Sequence, residues 1–83
     1  MKYHIEEQTM KDDVYKKITE IWNFMKKYLA VIESGDPDGW DDYQTDASEI
    51  YNKTEGKPEY FREMTRQMVH GAMDLIEGRY RDK

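Results

Sequence analysis

The chain has 83 residues, with 13 Lys and Arg against 18 Asp and Glu, and no cysteine. That length fits one domain with a small core, and the missing cysteines exclude disulfides and thiolate metal sites. No apolar run nears the roughly 18 residues of a membrane helix, and a net charge of −5 is the reverse of a nucleic-acid binder's basic footprint.

Residues 1–8, "MKYHIEEQ", alternate Met1, Tyr3 and Ile5 with polar residues. They read as a short N-terminal tail, able to run extended and to lie loosely against the domain. The segment lacks the continuous apolar stretch of a secretory leader and is too acidic for a transit peptide, so a cytoplasmic location is expected.

The first helix is predicted over 10–33. Val14, Ile18, Ile21, Met25, Tyr28 and Ile32 follow a 4-3-4-3-4 spacing, a seam that only a helix places on one side. Trp22 and Leu29 widen it. Thr9 is the expected N-cap, Asp12–Lys16 and Asp13–Lys17 are acid-first i,i+4 pairs, and Gly35 fits the position just past the end.

The second helix is predicted over 37–54, with Trp40, Tyr43, Ala47, Ile50 and Tyr51 on a narrow apolar arc. The third is predicted over 58–80 behind Pro58, a favoured first helical residue. Its inner face holds Phe61, Met64, Met68, Ala72, Leu75 and Ile76, widened by Tyr60, Val69, Met73 and Tyr80. Short linkers join neighbours running in opposite directions. The expected fold is therefore all-α, one domain over 1–83, a three-helix antiparallel (up-down-up) bundle.

Between the first two helices lies "SGDPDGWDD". In a calcium-loop register Ser34 stands first, Asp36 third, Asp38 fifth, Gly39 sixth and Asp42 ninth. Thr45 then occupies the twelfth position, where a bidentate Glu should close the ion's coordination. Asp36, Asp38 and Asp42 are the candidate metal ligands, but turn chemistry explains more of the segment. Asp36 caps, Pro37 sits where its missing N–H costs nothing, and the following acids oppose the positive helix start.

Residues 33–49 carry seven acids and no base. Asp41, Asp42, Asp46 and Glu49 make the second helix an acidic surface, either an ordinary solvated face or one that imitates nucleic-acid phosphates. His4 and His70 have no partner at zinc spacing, and no nucleophile motif or phosphate loop is present. Arg62, Arg66, Arg79 and Arg81 interleave with Glu59, Glu63 and Glu77, a salt-bridged helix rather than a basic patch.

Phe24 and Val31 lie one heptad apart, beside the main seam. With Met73 and Tyr80 on the broad third helix, they give more apolar surface than a small bundle needs, and are the candidate interface residues. The early Trp of "DGWDDYQTD", the Tyr of "IYNKTEG" and the final "LIEGRYRDK" resemble in layout the small all-α proteins of bacterial phages and mobile elements. The resemblance covers about residues 38–83. It implies a bacterial or phage origin and brings no activity or functional residues with it.

The sequence thus points to a small non-enzymatic protein–protein interaction module that self-associates as a homodimer or docks a protein partner. It needs no cofactor and no membrane, and direct nucleic-acid binding is not expected. The alternative is an acidic regulatory protein that binds a cation at the 34–42 loop or mimics nucleic acid through its second helix.

Overall fold

A computed structural model describes the backbone of residues 2–82 and the side chains of residues 10–82. Three helices account for most of it: α1 (Lys2–Ser34), α2 (Tyr43–Asn52) and α3 (Glu59–Asp82), with a 3₁₀ turn at Pro37–Trp40. No strand occurs among the described residues.

The order is up-down-up, as the short linkers require. Tyr60, at the start of α3, donates its hydroxyl to Met10 Sδ near the start of α1 (3.4 Å), so α1 and α3 run side by side. At the other end Trp40 packs on both Tyr28 and Tyr80. Helix α2 runs back between them, from Tyr43 beside Phe24 to Ile50 beside Lys17.

The N-terminal tail is not extended. Helix α1 begins at Lys2 and absorbs residues 2–8; Met1 lies outside the described residues. An alternating segment without a partner strand leaves every backbone group unpaired, whereas continuing the helix pairs them internally. Thr9 is consequently helix interior and not a cap. At the far end Gly35 stops α1, with φ +71° and its N–H donated to the Val31 carbonyl (3.0 Å).

The second predicted helix divides. Asp36 caps the 3₁₀ turn by accepting the Asp38 N–H (3.0 Å), and α2 proper begins only at Tyr43. Gly39 explains the break. A Cβ there would stand 2.8 Å from Val31 Cγ1, so the turn lies against α1 more closely than a side chain permits. Gly39→Ala is expected to cost about 1–3 kcal/mol by overpacking, read as a lower urea midpoint at unchanged slope. Gly71→Ala is the control: beyond the adjoining backbone of its own helix nothing lies within 4 Å of its Cβ position, and alanine should stabilise the helix by up to about 1 kcal/mol.

The core is built from Ile21, Phe24, Tyr28 and Ile32 of α1, Tyr43, Ala47 and Ile50 of α2, and Val69, Ala72 and Ile76 of α3. One end is an aromatic cluster. Tyr28 meets Phe24, Tyr43 and Trp40 with ring centroids 4.9–5.7 Å apart, close enough for offset and edge-to-face packing to add to burial.

Candidate interaction surface

Helix α1 is long and its partners are few, which decides what its apolar residues do. Helix α2 has only ten residues and covers α1 along the Phe24 and Lys17 side; Ile32, on the other flank of the seam, lines a cleft with Tyr80 of α3. At about 100° per residue, Tyr15, Ile18, Trp22 and Leu29 fall within one arc of roughly 60°, beyond the flank that α3 occupies. Ile18 is 46% exposed, Trp22 53% and Tyr15 72%. Helix α3 repeats the pattern. Its α2-facing flank carries Val69 and Met73, and the opposite flank carries Tyr60, Met64 and Leu75, of which Leu75 is 49% exposed. The two strips lie on the side of the α1–α3 pair away from α2.

This reverses two expectations. Phe24, a candidate interface residue, is core: only 5% exposed and stacked on Tyr43. Trp22 and Ile18, expected in the seam, face outward, with Lys26 Nζ 6.0 Å from the Trp22 ring centroid. Both kinds of residue flank the same seam, and α2 settles on the Phe24 side. Val31 and Met73 are half-buried against the core and contribute edges at most; Tyr80 alone of the four is well exposed.

The acidic segment is less free than its composition suggests. Asp46 Oδ2 accepts hydrogen bonds from Lys27 Nζ and from the hydroxyl of fully buried Tyr28, both at 2.7 Å. Those bonds, Lys27's first, hold its carboxyl below the usual carboxylate range, and burial pushes the Tyr28 hydroxyl up to about 12. Asp46 thus belongs to the fold and not to a free acidic face. Asp41, Asp42 and Glu49 are exposed. Asp36 is occupied as a cap, Asp42 precedes α2 without a side-chain capping bond, and Asp38 is exposed in the 3₁₀ turn. Among the described residues no three His, Asp or Glu side chains are placed to hold a metal ion.

Sequence spacing also missed a buried polar cluster. Lys17 is buried, and its ammonium donates to the Ile50 carbonyl (3.1 Å) and to Glu20 Oε1 (3.2 Å); Lys53 Nζ lies 3.8 Å from Glu20 Oε2. Its expected partner, Asp13, pairs with Lys57 instead (3.1 Å), tying the α2–α3 linker to α1. An i,i+4 acid before a lysine signals only an exposed pair, so nothing local marked Lys17 as the residue that meets the last turn of α2.

The chain matches no protein-family model, no curated protein and no solved structure. None of the described helices is long and apolar enough to cross a membrane, so the strip is not part of a spanning segment.

Proposed function

We propose that this protein is a small non-enzymatic interaction module that self-associates through the α1–α3 face lying away from α2. The outward strip of Tyr15, Ile18, Trp22 and Leu75 carries this reading. Large apolar residues clustered on one face, next to a core that does not need them, mark association surfaces.

A second copy offers the same strip, and two-fold pairing of one patch with itself is the commonest way such a surface is covered. The displaced titrations favour a structural rather than catalytic role: Tyr28, Asp46 and Tyr43 each owe their shift to burial or to a partner that packs the helices. A bacterial or phage accessory protein of the cytoplasm remains the setting that the sequence layout suggests.

Sedimentation equilibrium over a concentration series tests the proposal. The expected result is a mass rising towards twice 10.1 kDa. A mass that stays at one chain up to the highest soluble concentration would overturn self-association.

A further inference from the structure

The aromatic cluster ends in a cleft of about 300 Å³, on the α2 side of the molecule and away from the outward strip. Its lining is Trp40, Tyr43, Gln44, Glu77 and Tyr80. Trp40 meets Tyr43 at 5.2 Å between centroids and 82° between planes, and meets Tyr80 at 5.4 Å and 78°. Tyr43 is buried with one face on Phe24, so the open aromatic walls of the cleft are Trp40 and Tyr80, which stand almost perpendicular to each other. Tyr43 donates its hydroxyl to Glu77 Oε2 (3.0 Å), which fixes a carboxylate at the same corner.

Glu77 and Asp74 place two carboxylates within electrostatic reach of Tyr43. Burial raises the Tyr43 hydroxyl first, and the Glu77 bond and charge and the Asp74 charge raise it further. Three aromatic rings elsewhere carry a cation of the protein's own: Trp22 under Lys26, Tyr28 under Lys27 and Tyr51 under Arg62. Among the described residues no lysine or arginine lies over Trp40, Tyr43 or Tyr80 in this way. Tyr80 is 58% exposed, so the box opens to solvent.

We propose that the Trp40–Tyr43–Tyr80 cleft, with Glu77 at its edge, binds a trimethylammonium group. Such a cation has no N–H to satisfy and is weakly hydrated, so aromatic quadrupoles and one nearby carboxylate suffice to hold it. A compact ammonium, strongly hydrated, would lose more than it gains. The same chemistry occurs on a free choline-type molecule and on a trimethylated lysine side chain. Binding does not depend on the oligomeric state, because the cleft and the outward strip lie on different sides.

Nuclear magnetic resonance titration of the full chain tests it, with three probes: choline, N-acetyl-trimethyllysine amide, and 3,3-dimethylbutanol, the uncharged carbon isostere of choline. Saturable shifts of the Trp40 indole N–H and the Gln44 side-chain amide are expected with the cations, while the Trp22 indole stays unmoved. The neutral isostere should bind at least about five-fold more weakly. Tyr80→Ala removes an exposed wall and should weaken the cations by about five-fold; Glu77→Gln should weaken them in the same direction, and circular dichroism checks that both variants keep their helices. The tighter of the two cations identifies the source of the group. Equal shifts with the isostere, shifts shared by Trp22, or no shift at Trp40 would each overturn the proposal.

Discussion

Tyr28→Ala is expected to lower stability by about 3–5 kcal/mol, a large part of what so small a domain possesses. Tyr28 is fully buried, touches three other aromatic rings and sends its hydroxyl to Asp46. Tyr28→Phe separates the two contributions. It keeps the ring and should cost only about 0.5–1.5 kcal/mol, since Lys27 still pairs with Asp46. Urea unfolding followed by circular dichroism reads both.

The same group sets an acid dependence. Asp46 has a folded pKa below its unfolded value, so the stability it contributes is complete above the unfolded value near 4. It is lost as pH falls from there through the depressed folded value. Asp46→Asn should remove that part of the acid sensitivity while lowering stability at neutral pH. An unchanged slope of stability against pH in the variant would refute the assignment.

Lys17→Met should cost about 2–3 kcal/mol although it keeps the apolar stem. The loss leaves the Ile50 carbonyl, in the open last turn of α2, without its donor and Glu20 without its nearest cation. Glu20 Oε2 is already buried with no hydrogen-bond partner among the described residues, so the carboxylate has little to fall back on beyond Lys53. A cost within experimental error of zero would show that the cluster is incidental. Lys17→Arg, which can still donate, should recover part of the loss.

These residues show where the sequence was legible and where it was not. Helix number, direction and the stop of α1 follow from local chemistry: the 3.6-residue spacing of Ile21, Tyr28 and Ile32, Asp36 as a cap, and Gly35 with φ +71°. The segment over 37–54 was legible as helix but not as two pieces, because the reason for the break is Val31, far from Gly39 in the chain. Phe24 and Trp22 were indistinguishable for a related reason. Each flanks the same seam, and only the placement of α2 decides which is covered. Lys17 and Asp46 looked like solvated charges because their partners, the Ile50 carbonyl and the Tyr28 hydroxyl, lie on other helices. The candidate surface is what these tertiary choices leave uncovered, so it could not be read from periodicity alone.

A second copy is proposed to sit on the strip left outside. Trp22→Glu, examined by sedimentation equilibrium beside the wild-type chain, tests it most directly. Trp22 is more than half exposed, so the charge should leave the helical signal and the urea transition of the dissociated protein nearly unchanged. The expected result is a variant that stays at the mass of one chain at concentrations where the wild type is dimeric. A variant that associates as the wild type does would contradict the account.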